Sequence, residues 1–261
     1  MSRCPLVLDT IYLNRQVRAT YERVARAPTS GFHFHTGAAY AVRQLGYDAA
    51  ELAALPDACT ERFSGVGNPL RIGTIPAGAV VLDHACGAGM DLLLAARAAG
   101  PEGRAIGVDL TPGMRASALR AAAQARLLDR VQLHEGTFED LPADDASVDV
   151  VISNGVLNLA PDKPRVIGEI VRVLRPGGTL FLADVVLDRE LAQAARANAD
   201  LWASCIGGAL TEAMLLQLLE ECGLSEAQVT ERFECFAGTD VDRKFHGHLH
   251  AYGANVLAIK R

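Results

Sequence analysis

The sequence is poor in aromatic residues, which make up 5% of its 261 positions and include a single tryptophan. Single-stranded nucleic acids are held by several stacked aromatic side chains, so that partner class is disfavoured. Basic residues are also in the minority. The 25 Lys and Arg against 31 Asp and Glu leave a formal charge of −6, which argues against a surface that tracks duplex phosphates. Long apolar runs are missing: none approaches the roughly 20 residues of a membrane helix. The first residues carry Asp9, Arg15 and Arg18 and show no signal-peptide core. Neither nucleic acid nor membrane is therefore expected as a partner. Cysteine occurs at 4, 59, 86, 205, 222 and 235, without C-x-x-C spacing. Free thiols in a reducing cytoplasm are the expectation, and no metal site. What the chain does have is 50% apolar residues, enough for a full core in one large domain, or in one domain with an appendage.

Residues 1–76 are helical in pattern, 77–185 alternate strands with helices, and 186–261 give helices and then two strand-like runs. In the middle stretch, strands are predicted at Ala79–Asp83, Arg104–Val108, Val131–His134, Val148–Ser153 and Thr179–Asp184. Helices are predicted at Met90–Ala99, Pro112–Arg126 and Asp162–Leu174, the last closed by Pro176-Gly177-Gly178. Such alternation means a mostly parallel α/β sheet with helices on both faces. Ligands of such sheets bind beyond the carboxyl ends of the strands.

At the first of those ends stands Asp83-His84-Ala85-Cys86-Gly87-Ala88-Gly89. A glycine turn between strand and helix lets a ligand approach the backbone. The dinucleotide pattern G-x-G-x-x-G fails, because its third glycine would fall at Leu92. A carboxylate at Asp83 suits a cationic ligand better than a pyrophosphate. Asp109 ends the next strand, where a carboxylate can accept both ribose hydroxyls.

With Gly107-Val108-Asp109, Gly136-Thr137-Phe138-Glu139-x-Leu141-Pro142 and Arg172-Val173-Leu174-Arg175-Pro176-Gly177-Gly178, this loop forms an ordered set. The set resembles the class I S-adenosylmethionine-dependent methyltransferases; Ala85 stands where the family has its first glycine. The resemblance implies a seven-stranded Rossmann-like sheet, with Ala254–Lys260 as its antiparallel strand. The helical residues 1–70 would form an N-terminal lid over a methyltransferase domain at 71–261. It implies S-adenosylmethionine as cofactor, held by Asp83, Ala85, Cys86, Gly87 and Gly89 around the methionine part. Asp109 would hold the ribose and Leu110 would lie against the adenine, with Thr111 and Met114 nearby. Thr137, Phe138 and Glu139 would meet the adenine, although the family usually has an acid at the position of Thr137.

Within that superfamily the chain resembles the arsenite methyltransferases from about residue 50 to 222. The shared stretches include Gly65-Val66-Gly67-Asn68-Pro69, Ser153-Asn154-Gly155-Val156-Leu157-Asn158-Leu159 and Leu201-Trp202-Ala203-Ser204-Cys205-Ile206-Gly207-Gly208. Three cysteines usually hold As(III) in that family. Here the first is Val66, the second is Gly155, and only Cys205 remains. Neither valine nor glycine offers a soft donor. The expected reaction is therefore methyl transfer to a small-molecule nucleophile, with Val66 and Gly155 opening an apolar space beside the methyl group. An arsenical or thiol methyltransferase using fewer cysteines, with Cys59 swung in, is the alternative. A non-catalytic cofactor-binding module is the second alternative.

Four residues are candidates for the chemistry. His33 and His35, in Gly31-Phe32-His33-Phe34-His35-Thr36-Gly37, divide evenly between general bases over the site and histidines that satisfy a loop. Asn154, at the end of the fourth strand, would position a substrate or the cofactor's amino group. Cys205, one turn after Trp202, would line the pocket. The His246-Gly247-His248-Leu249-His250 tract is expected to be a solvated loop. The oligomeric state stays open, a homodimer included.

Overall fold

The computed structural model describes residues 8–261; Cys4 lies outside them. Four helices precede the sheet: α1 (Thr10–Arg26), α2 (Ala38–Leu45), α3 (Ala49–Ala53) and α4 (Asp57–Thr60). The alternating part follows as β1 (Val80–His84), α5 (Met90–Ala98), β2 (Arg104–Asp109), α6 (Pro112–Gln124), β3 (Val131–Glu135), β4 (Val148–Asn154), α7 (Lys163–Val173) and β5 (Leu174–Leu187). The remainder is α8 (Gln193–Arg196), α9 (Ala199–Ala203), β6 (Leu210–Thr211), α10 (Glu212–Glu221), β7 (Leu224–Phe233), α11 (Asp240–Phe245) and β8 (Ala251–Lys260). The strand order is β3-β2-β1-β4-β5-β8-β7. The first five strands run parallel, and β8 is antiparallel to both its neighbours. The expected seven strands form this path. An eighth, the two-residue β6, pairs with β5 beside it.

Two local expectations change. Pro176-Gly177-Gly178 does not separate a helix from a strand, because β5 runs from Leu174 through it. The irregularity is absorbed as a register shift against β4 between Val148 and Val150. Among the helices expected after residue 186, the one before Cys205 is only the short α9. The Ile206 and Gly207 N–H groups both donate to the Leu201 carbonyl, at 2.9 and 2.8 Å, and Cys205 takes a φ of +64°. That closure ends the helix.

The N-terminal segment has no seam near residue 70. Tyr40, Leu45, Tyr47, Leu52 and Phe63 belong to the same buried cluster as Leu92, Leu93 and Met114 of α5 and α6. The opposite face of the sheet carries a second cluster, built on Val166, Ile167, Ile170, Leu215 and Leu219 of α7 and α10. Among the N-terminal elements α1 is the most peripheral. It is tied down by Tyr12 Oη donating to Asp200 at 2.9 Å, and by Glu22 accepting the Gly113 N–H at 3.1 Å.

β1 delivers the chain into a turn in which Ala85 has a φ of +63°. An L-residue in that region costs about 1–2 kcal/mol, and the extra unfolded-state entropy of glycine offsets about 0.4–1 kcal/mol of it. Ala85→Gly should therefore raise stability by about 0.5–1 kcal/mol and the melting temperature by about 2 °C. Thermal unfolding of the variant checks this; an unchanged or lower melting temperature would show that the turn is not strained.

Candidate functional site

A cavity opens at the carboxyl ends of β1, β2 and β4, between the strand ends and the N-terminal segment. Asp109 anchors its floor. The two oxygens of its carboxylate accept the Gly87 N–H at 2.9 Å and the Thr111 N–H at 2.7 Å, which fixes the glycine loop against the end of β2. Each oxygen keeps a lone pair for a further donor. Beside it stand two more buried acids, Asp83 and Asp91. One oxygen of Asp83 has no hydrogen-bond partner. Burial, reinforced by Asp91 and Asp109, pushes Asp83 well above the ordinary carboxylate range. Burial also raises Asp109, against the pull of the Thr111 and Gly87 N–H groups. Asp91 is pushed up by burial to about 6, opposed by bonds from Asn154 and Tyr47. Desolvation of this kind disfavours the charged form until a cation arrives.

Asp83, Ala85, Cys86, Gly87, Asp109, Leu110, Thr111, Met114, Thr137, Phe138, Glu139 and Asn154 all line this one cavity. Gly89 is not among the lining residues; it caps α5 at a φ of +88°. The fit to a sulfonium cofactor rests on three features. Three buried carboxylates, one with an unpartnered oxygen, suit a ligand carrying an ammonium and a sulfonium. A side chain at Gly87 would meet nothing within 4 Å, so the loop's backbone lies open to a ligand. Leu110 is 38% exposed beside the buried Asp109, an apolar surface free to take a flat ring.

Asn154 also borders the cavity, yet its amide is committed to the protein. Its Oδ1 accepts the N–H groups of Val66 at 2.8 Å and Gly67 at 3.3 Å. Its Nδ2 donates to the Gly67 carbonyl at 3.0 Å and to Asp91 at 2.9 Å. Asn255 of β8 holds Asn68 in the same way, with bonds of 3.2 and 2.8 Å to its N–H and carbonyl. The Gly65–Asn68 segment is thus clamped by two asparagines. A Cβ at Gly65 would fall 2.3 Å from the Asn154 amide nitrogen, which only glycine avoids.

The other three catalytic candidates lie elsewhere. His33, His35 and Cys205 are absent from the cavity lining. His33 Nε2 lies 4.0 Å from the Cys205 sulfur, and His35 Nε2 bonds the Ala237 carbonyl at 2.9 Å. The loop between α1 and α2 turns both rings toward the 205 and 235–237 segments, away from the cofactor loop. Burial lowers His33 to about 4 and raises the Cys205 thiol to about 12. At neutral pH His33 is thus an unprotonated, weakly basic imidazole and Cys205 a thiol. The space expected beside Val66 is also filled. Val66 is buried outside the lining, and its methyls lie 3.6–3.7 Å from where a Cβ at Gly155 would stand. Gly155 itself has a φ of +74°. Of the described cysteines, Cys59 and Cys86 are the ones that reach the cavity. In the 246–250 tract, His250 bonds Glu234 at 3.0 Å.

Several lining residues escaped the sequence. Asp91 carries no motif beyond being an acid in a helix's first turn. Tyr47, which donates to it at 2.7 Å, lies 44 positions away. Val17, Tyr21, Arg62 and Phe63 reach the cavity from the N-terminal segment. His84 had been quoted only as part of the loop. Its Nε2–H donates to the Phe138 carbonyl at 3.1 Å, so Nδ1 accepts from Ser153 Oγ at 3.2 Å. That ring links the ends of β1 and β4 to the loop carrying Thr137–Glu139.

Known proteins agree with this geometry. The methyltransferase-domain family matches residues 75–223. The arsenite methyltransferase of Halobacterium salinarum is 38% identical over 209 residues, which are 79% of this chain and 53% of that protein. That of Aquipseudomonas alcaligenes is 37% identical over 160 residues, 59% of this chain and 46% of that protein. The chain thus spans about half the length of these two relatives. The crystal structure of an arsenic(III) S-adenosylmethionine methyltransferase from Chlamydomonas reinhardtii superposes with a TM-score of 0.72 at 34% identity, covering 81% of this chain and 72% of that one. The chain belongs to the methyltransferase-domain family and, within it, to the arsenite methyltransferase branch of the class I S-adenosylmethionine-dependent methyltransferases.

Proposed function

We propose that the protein transfers a methyl group from S-adenosylmethionine to a small organic nucleophile instead of arsenite. The observation that carries this reading is the fate of the three thiolate positions. Val66 and Gly155 have no donor atom, and Cys205 lies outside the cavity with a protonated thiol. When bound, the cofactor supplies an electrophilic methyl group on sulfur. The chain's own residues hold and shield it. Asp109 accepts the ribose hydroxyls, Asp83 and Asp91 face the cationic head, and Leu110 and the 137–139 loop enclose the adenine. Val17, Tyr21, Phe63 and Leu159 exclude water from the remaining space. Methyl transfer depends on alignment and desolvation more than on acid–base catalysis, which agrees with a cavity into which no histidine projects. The arsenical reading keeps one support, the Cys59 thiol in the lining; burial holds it up at about 12.

A single assay separates the three readings. The protein is incubated with S-adenosylmethionine and, in turn, arsenite with excess thiol, and then thiols, amines, phenols and carbon acids. Demethylated cofactor is the readout. Release with an organic acceptor and background release with arsenite is expected. Fast arsenite turnover that disappears in Cys59→Ser would overturn the proposal. Silence with every acceptor despite cofactor binding would leave a binding module.

The raised Asp91 gives a pH dependence with a definite sign. In the free protein its carboxyl holds a proton up to about pH 6, and a cationic ligand favours the ionised form. Cofactor affinity should therefore rise with pH through about 6. If bound Asp91 returns to an ordinary carboxylate value, the gain from pH 5 to 7 is about ten-fold. Calorimetry checks this, and Asp91→Asn should flatten most of the rise.

The lid character assigned to residues 1–70 is best placed on α1 alone, since the rest shares the sheet's core. Hydrogen exchange with and without S-adenosylhomocysteine should show added protection in 10–26 and little in 38–53. Equal gains in both segments would make the whole N-terminal region the moving part.

A further inference from the structure

The two ends of the cavity carry opposite charge. The sheet supplies Asp83, Asp91 and Asp109, and the N-terminal segment supplies Arg18 and Arg62. Arg62 is a costly residue to place there. Its side chain is only 15% exposed, and its bonds go mainly to neutral groups: Nε to the Ala25 carbonyl at 2.8 Å and Nη1 to the Ala58 carbonyl at 3.4 Å. Its sole acidic neighbour is Glu61, at 3.4 Å and itself 55% exposed. Nη2 makes no hydrogen bond among the described residues. A mostly buried guanidinium with a free nitrogen, and only one half-exposed carboxylate beside it, has room for a second anion. Arg18 extends the same charge from α1 toward solvent and makes no ion pair among the described residues. Among the described residues, the Tyr21 hydroxyl and Ser64 Oγ, also in the lining, make no hydrogen bond either.

We propose that Arg62, with Arg18 beside it, is a carboxylate-binding site within the cavity. A guanidinium presents paired N–H groups that match the two oxygens of a carboxylate, and such charge-assisted pairs are the strong ones. This rests on the methyltransferase reading above, and it narrows it. The carboxylate has two sources within that reading: an organic acid serving as methyl acceptor, or the amino-acid head of the cofactor itself. In either case Arg62 orients a ligand whose positive group faces the acids, and Arg18 of α1 adds a second positive charge to the same cavity.

Binding measurements separate the sources and need no turnover. S-adenosylhomocysteine carries the amino-acid head, and 5′-methylthioadenosine lacks it. Their affinities are measured by calorimetry for wild type, Arg62→Gln and Arg18→Gln. The second variant makes no hydrogen bond in the structure and leaves the core untouched. Benzoate and its neutral analogue benzamide are then titrated into protein saturated with S-adenosylhomocysteine. If the cofactor supplies the carboxylate, Arg62→Gln weakens S-adenosylhomocysteine by ten-fold or more and leaves methylthioadenosine within two-fold. If the acceptor supplies it, both nucleosides bind the variant normally, while wild type prefers benzoate over benzamide and loses that preference in Arg62→Gln and, in part, in Arg18→Gln. No change in any arm overturns the proposal. Equal loss of both nucleosides in Arg62→Gln also overturns it, since Arg62 would then be a strut between Ala25 and Ala58. Wild-type protein that binds neither nucleoside would instead sink the cofactor reading itself.

Discussion

The site depends on one primary amide. The Asn154 side chain stands where β4 ends and meets three parts of the chain that are remote in sequence: Val66 and Gly67 before the sheet, Asp91 in the first turn of α5, and the Tyr47 hydroxyl, both directly at 3.3 Å and through Asp91. Few groups other than an amide donate and accept at once in this geometry, and each of its polar atoms is satisfied. An aspartate would lose the donors to the Gly67 carbonyl and to Asp91, and would set two carboxylates together. The amide therefore both fixes the chain that roofs the cavity and holds Asp91 in place without neutralising it. Such a fully connected buried network favours one arrangement over its neighbours, because leaving any member unpaired costs about 1–3 kcal/mol.

The same logic explains the state of the acids. Asp83, Asp91 and Asp109 are buried together; burial works against the ionisation of all three, and at Asp83 the charges of the other two add to it. The site is electrostatically incomplete until a positive ligand enters, a form of preorganisation in which the protein's own strain is relieved by binding. No histidine lines the cavity among the described residues, and Asp91 is the lining group whose protonation changes near pH 6.

What could be read from the sequence was whatever is local. β1, β2, β3, β4 and the helices between them lie within a residue or two of their predicted bounds, since each is written in a short apolar period and closed by a nearby glycine or proline. Asp109 was legible for the same reason: it ends a strand at a set distance from the glycine loop. What was not legible depends on approach between distant segments. Asn154 looked free to meet a ligand because nothing in the sequence shows that Val66 and Gly67 return to it across 87 residues and more. His33, His35 and Cys205 have the right chemistry, yet a loop's direction is set by the packing of Phe34 and Tyr40, which spacing does not encode. The boundary drawn near residue 70 followed a change of pattern, whereas the core continues across it.

The contact between Val66 and Gly155 bears on history as well as chemistry. A side chain restored at 155 would enter at a φ of +74°, at a cost of about 1–2 kcal/mol, and would arrive against the methyls of a valine already packed there. The Cβ itself would sit at ordinary van der Waals distance from those methyls, so the cost lies in the backbone alone. Regaining a side-chain donor at 155 would therefore be decided by the backbone at that one position, whatever residue stands at 66.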